Sequence, residues 1–164
     1  MHVWFGNVPG RITDIASWET ILASSKASHV VISCLDSNPR PARSRVLRWN
    51  IEKAGIALGT VGNALVINSG EFIKALSFRG LFTGFDEVWL HCSFPREGEI
   101  CTRRMTSDGI NLAEEVSEGL VEEFKASSAI LGLGDGCGLN FITRRKDLAE
   151  LIVRGSPPED LARL

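Results

Sequence analysis

The stretch His29-Val-Val-Ile-Ser-Cys-Leu35 is the strongest guide to the fold. It is apolar and β-branched at both alternating sets of positions, which predicts a strand buried on both faces near the centre of a sheet. The following Asn38-Pro-Arg-Pro41 ends regular structure, because proline lacks a backbone N–H and restricts the residue before it. A strand buried in this way requires covering layers on both sides of its sheet.

Outward from this stretch, short apolar runs alternate with amphipathic segments. Further strands are predicted at 3–5, 64–67, 88–94, 130–131 and 139–143. Helices are predicted at 13–25, 43–54, 69–79, 109–126, 146–154 and 157–163. This alternation predicts an α/β fold with a mixed, mostly parallel sheet of five to six strands and helices on both faces. The 164 residues are expected to form a single domain, 1–164, because two domains would each be too small for a comfortable core.

Two helix boundaries carry specific signals. Gly55 suits the left-handed position after a helix, and Ile56 supplies the apolar contact that accompanies it. Asn68 lies three residues before Glu71, which approximates a capping box and predicts a helix start.

Composition resembles that of an ordinary globular protein, with 44% hydrophobic and 23% charged residues. The N-terminus lacks the basic start and long apolar run of a signal peptide, and glycine and asparagine interrupt the longest uncharged stretch, 54–70. The cysteines are too sparse for a disulfide scaffold: Cys34, Cys92, Cys101 and Cys137. We therefore expect a cytoplasmic protein with reduced thiols and no membrane partner.

Common catalytic and metal-binding signatures are absent from the sequence. It contains no CxxC, HExxH, GxSxG or GxxxxGK[ST] pattern. His91 and Cys92 are neighbours on a predicted strand, so their side chains are expected on opposite faces. A dyad across strands, such as His29 with Cys92, stays possible. We expect no cofactor and no metal, and a binding protein rather than an enzyme.

The most conspicuous pattern is the glycine run Gly132-Leu-Gly-Asp-Gly-Cys-Gly138. Glycine loops can bring backbone N–H groups close to a phosphate, but Asp135 would repel one and no nucleotide fingerprint is matched. A turn joining two strands is the favoured interpretation, and a binding loop is the alternative.

A ligand-binding hypothesis follows from the expected sheet. Ligands of open parallel sheets favour the carboxyl ends of the strands. The cations 144–146 near a helix start oppose the helix dipole, a local cost that an anionic ligand can offset, although side chains in water are the simpler explanation. A phosphorylated small molecule would then meet Asp36, Arg40, Arg96, Gly134, Asp135, Gly136, Arg144 and Arg145.

Charge is divided unevenly along the chain. Residues 1–82 carry nine Lys/Arg and five Asp/Glu, a net +4, whereas residues 83–164 carry nine and fifteen, a net −6. The densest part of the second half is the acidic segment, 114–123, which contains Glu114, Glu115, Glu118, Glu122 and Glu123. Like charges four residues apart destabilise a helix by roughly 0.2–0.5 kcal/mol per pair. The segment is either a solvated helix face or a recognition surface for a basic partner.

A basic counterpart surrounds Trp49 and comprises Arg40, Arg43, Arg45, Arg48 and Lys53. Direct nucleic-acid binding is not expected, because the isoelectric point is about 5.9 and no known motif appears. The leading hypothesis is a small protein-binding domain, for example an inhibitor or immunity-type neutraliser of a basic protein. The alternative is an enzyme or sensor for a phosphorylated small molecule. The oligomeric state is not predicted.

Overall fold

A computed structural model of the protein describes residues 4–8, 15–33, 42–62, 64–78, 87–99, 127–132, 139–153 and 161–163. Strands β1 to β8 are Trp4–Val8, His29–Ser33, Gly59–Val61, Ala64–Asn68, Glu87–His91, Ser127–Gly132, Leu139–Thr143 and Leu161–Arg163. Helices α1 to α4 are Ile15–Ser25, Ala42–Lys53, Ser69–Leu76 and Lys146–Ile152, and Glu97–Glu99 forms a 3-10 turn.

The described strands form one eight-stranded sheet in the order β3-β4-β2-β5-β6-β7-β1-β8. All neighbouring strands in it are antiparallel. The predicted α/β class is confirmed, but the mixed, mostly parallel sheet is wrong, because the described strands pair only in antiparallel fashion.

The error has a topological cause. β4 and β5 flank β2 on either side, with α3 between them in the chain. Each is antiparallel to β2, so the two run parallel to each other without being neighbours. A strand–helix–strand order therefore does not guarantee parallel pairing, because another strand can be inserted between the two.

Two strands were not predicted. β3 forms a hairpin with β4, in which Val61 pairs with Ala64 and Gly62 occupies the turn with φ +57°. β8 pairs with β1, so the predicted helix 157–163 is wrong for residues 161–163. The exposed edge of β1 offers these residues backbone hydrogen bonds, which outweigh their local helix preference.

The glycine run connects two antiparallel neighbours, since β6 and β7 pair directly and Gly132 lies opposite Asn140. The predicted connection between two strands is therefore confirmed as that of a hairpin. Residues 133–138 themselves lie outside the described ranges.

Both predicted helix-boundary signals are confirmed. Asn68 Oδ1 accepts a hydrogen bond from the Glu71 N–H at 2.8 Å and so caps α3. After α2, Gly55 has φ +73°, and the Ile56 N–H donates to the Ile51 carbonyl at 3.2 Å. This bond, together with burial of both isoleucines, is the Schellman arrangement.

All four described helices contribute to one apolar cluster on one face of the sheet, with Trp18, Leu47, Phe72 and Leu148 among its members. The strand residues of the opposite face are also buried, including Val31, Val66 and Trp89. Both faces are therefore covered, as expected. The predicted helix 109–126 lies outside the described residues, so helices on the second face stay a prediction. Among the described helices, none has the length and apolar character needed to cross a membrane.

Candidate functional site

One end of the sheet gathers polar side chains at the first or last residues of neighbouring strands. Asn68, at the end of β4, pairs with His29 at the start of β2, and His29 pairs with His91 at the end of β5. His91 in turn pairs with Ser127, the first residue of β6. β7 finishes at the same end with Thr143, next to the first residue of β1. We call this region the polar end of the sheet.

His91 is the most deeply buried titratable group at the polar end. Its side chain is 1% exposed, and Nε2 lies 3.0 Å from the hydroxyl oxygen of Ser127, which is also 1% exposed. Burial lowers the pKa of His91 to about 4; the carboxylate of Glu99 opposes this shift and His29 adds to it. The imidazole is therefore neutral at pH 7, which avoids burying a charge.

The proton positions around His29 follow from its contacts. Ser28 Oγ donates to the Cys92 carbonyl at 2.7 Å and lies 2.8 Å from His29 Nδ1. The hydroxyl has one hydrogen, already used, so Nδ1 donates to Ser28 Oγ. A neutral His29 therefore presents Nε2 as an acceptor. Its ring packs edge-on against Phe94, with centroids 5.6 Å apart.

The cysteine beside His91 faces a different part of the protein. Cys92 is exposed, and its Sγ lies 3.9 Å from the carbonyl of Ser25 at the end of α1. His29 instead meets Ser28 and Phe94. Among the contacts of the described residues, no hydrogen bond joins His29 to Cys92, and the dyad that the sequence left open receives no support.

Serine and threonine hydroxyl groups at the polar end donate hydrogen bonds to backbone carbonyls of neighbouring segments. Ser69 Oγ, at the start of α3, donates to the Ala27 carbonyl at 2.6 Å. Thr143 Oγ1 donates to the Ser128 carbonyl at 2.7 Å, and Ser128 Oγ donates to the Leu90 carbonyl at 3.2 Å. These side-chain-to-backbone bonds satisfy carbonyls at strand and helix ends, where the regular pattern stops.

Arg145 joins the start of α4 to the end of α1. Its Nη1 donates to the Ser24 carbonyl at 2.6 Å, Nε donates to Asp147 Oδ1 at 3.1 Å, and Nη2 donates to Oδ2. The hydrogen bond to Asp147 raises the pKa of Arg145, and the same contact lowers the pKa of Asp147. Three guanidinium nitrogens thus donate hydrogen bonds to groups of the same chain.

These contacts favour a structural role for the polar end. A serine hydroxyl 3.0 Å from an imidazole matches the spacing of a nucleophile and its base, but a substrate cannot reach groups that are 1% exposed. In the part of the chain that the structure describes, no group of three or more His, Cys, Asp or Glu is placed to hold a metal ion.

The predicted ligand-binding residues do not follow strands that end together. β2 finishes at Ser33, which pairs with Glu87, and Glu87 pairs with Gly132. β2 and β6 therefore finish at the end of the sheet opposite the polar end, about 13 Å away for a five-residue strand. Arg96, Arg144 and Arg145 follow strands that finish at the polar end, so the premise of one shared edge is wrong.

Individually, these residues are placed as follows. Arg96 is exposed, and its backbone N–H donates to Glu99 Oε2 at 2.8 Å. Arg144 is half-buried beside Arg145. The remaining predicted ligand residues lie outside the described ranges: Asp36, Arg40, Gly134, Asp135 and Gly136. Binding of a phosphorylated small molecule stays a prediction.

Two of the basic residues around Trp49, Arg48 and Lys53, make contacts within α2. Arg48 Nε lies 3.0 Å from Glu52 Oε1, and Lys53 Nζ lies 4.7 Å from the centroid of the Trp49 ring. Trp49 is nevertheless 58% exposed.

Sequence reasoning missed Ser127 and Ser28. Ser127 contacts His91 only because the fold brings their strands together, and a single serine belongs to no sequence motif that would identify it. The acidic segment, 114–123, lies outside the described residues. No family model matches the chain, and no match was found among curated proteins or solved structures.

Proposed function

We propose that the protein is a non-catalytic domain that recognises another protein, with the acidic segment meeting a basic partner. The observation that carries the proposal is the charge of this segment. It has five glutamates in ten residues, and no lysine or arginine follows Glu114 until Lys125. Repulsion along a helix is costly, and a positively charged partner offsets it. An acidic recognition surface of this kind suits an inhibitor or immunity-type neutraliser of a basic protein.

The described residues support a binding role over catalysis. The serine–histidine pair is buried, and the guanidinium of Arg145 is held by its own chain. Catalytic groups must instead reach the reacting atoms of a bound substrate. The buried serine–histidine pair and Arg145 thus stabilise the fold.

The test is affinity capture from cells that produce the protein, with matched charge reversals. The double variant E118K/E122K is expected to lose a stoichiometric basic protein that the parent retains. The control E19K/E52K makes the same change in net charge at two exposed glutamates on α1 and α2, and is expected to retain it. All three proteins must unfold at the same denaturant concentration, so that lost binding is not lost folding.

Two results would contradict the proposal. One is the absence of a stoichiometric partner for the parent. The other is a partner that binds E118K/E122K as tightly as it binds the parent and the control.

A further inference from the structure

Two histidines stand directly opposite each other on neighbouring strands at the polar end. His29 of β2 and His91 of β5 are paired in the register, and His91 is packed against Ser127 of β6. Directly opposed side chains in an antiparallel pair have Cβ atoms about 4.5–5.5 Å apart, and like charges there are destabilising. Two charged imidazoles at these positions would therefore weaken the pairing of β2 with β5.

The neighbouring β5–β6 pairing is irregular at the same place. The register shifts between Leu90 and His91, so that Leu90 lies opposite Ala129 and His91 lies opposite Ser127. A bulge interrupts the ladder of backbone hydrogen bonds. Side-chain contacts from Ser127 to His91 and from Ser128 to the Leu90 carbonyl bridge the irregular end.

We propose that His29, His91 and Ser127 form an acid-sensitive latch, in which charging of His91 releases the end of β5 while the centre of the sheet stays paired. This device is independent of the proposed binding function. It rests on the opposed histidines, the burial of His91 and the bulge beside it.

The direction of the effect follows from proton linkage. Packed His91 has a pKa of about 4, and a released histidine returns to its ordinary 6.5. Between these two values the open state binds a proton that the closed state does not, so acid favours opening. The latch is therefore fully stable above about pH 6.5 and weakens as the pH falls towards 4. The opening equilibrium rises about tenfold per pH unit, or about 300-fold in all.

Other charges around His91 set the size of the effect. Among the described residues, the titratable groups that act on it are Glu99 of the 3-10 turn and His29 of β2. The Glu99 carboxylate favours the charged imidazole and so reduces the response, whereas His29 increases it.

Amide hydrogen exchange measures the opening directly, as protection relative to an unstructured chain. The two conditions are roughly pH 6 and 5, which lie between the pKa values of packed and released His91. The Ser28 N–H reports on the latch because it donates to the His91 carbonyl at 2.9 Å. Its protection is expected to fall about tenfold over that pH unit and to stay below that of Val31, at the buried centre of β2, because the latch opens without unfolding the whole sheet.

Variants separate the latch from general acid unfolding. H91Q removes the titrating group and is expected to abolish the tenfold change, whereas H29Q retains most of it. If H91Q does not fold, the pKa of the His91 imidazole is measured in the parent by nuclear magnetic resonance, and a value well below 6.5 supports the latch. An ordinary pKa for His91, constant protection of Ser28, or equal protection of Ser28 and Val31 at both pH values would overturn the proposal.

Discussion

The end of α1 offers a substitution whose effect can be worked out from the backbone. Lys26 follows this helix with φ +56°, the left-handed region that favours glycine. Its N–H donates to the Ala23 carbonyl at 3.1 Å, and the Ala27 N–H donates to the Leu22 carbonyl at 3.2 Å. α2 ends with the same pair of bonds, but there Gly55 holds the left-handed position.

Replacing Lys26 therefore separates the backbone cost from the charge. A side chain in this conformation costs about 1–3 kcal/mol, against which glycine loses about 0.5–1 kcal/mol more chain entropy on folding. Both K26G and K26A remove the charge near the helix carboxyl end, but only K26G removes the Cβ. K26G is thus expected to be about 1 kcal/mol more stable than K26A.

Equilibrium unfolding in urea is the assay, with the midpoint and the slope compared between the two variants. Equal slopes with a higher midpoint for K26G are expected. Midpoints that agree within error, or a higher midpoint for K26A, would refute the reasoning from the backbone conformation.

Three further substitutions test other contacts by the same unfolding assay. G55A is expected to lose about 1 kcal/mol because φ +73° disfavours a Cβ, whereas G98A, in open space, should change stability little. W89F is expected to cost less than W18F, because the buried Trp89 Nε1 has no hydrogen-bond partner among the described residues and phenylalanine removes that penalty. R145Q should destabilise the protein by roughly 1–3 kcal/mol, since it breaks the link between α4 and α1; an unchanged midpoint would show that this link contributes nothing.

Local signals predicted local structure well in this chain. The Asn68 cap and the Gly55 helix end depend on neighbouring residues and the backbone angles they prefer, so the sequence carries them. The β3–β4 hairpin was also within reach, because Gly62-Asn63 between two apolar runs is a two-residue turn signal.

Pairing between distant strands was not predictable in the same way. Nothing local places β4 and β5 on either side of β2, or recruits residues 161–163 to the edge of β1. The candidate site was missed for the same reason, because the hydrogen bond between His91 and Ser127 joins residues from strands far apart in the chain. Single polar residues become meaningful only once the strand order brings them together.

The salt dependence of partner association tests the central claim most directly. If the acidic segment recognises a basic protein, the association rate with the captured partner falls steeply between about 0.05 and 0.5 M salt, because screening shortens the reach of the charges. E118K/E122K should associate slowly at every salt concentration, with a much flatter dependence. A rate that is independent of salt, or identical for the parent and this variant, would contradict recognition through the acidic segment.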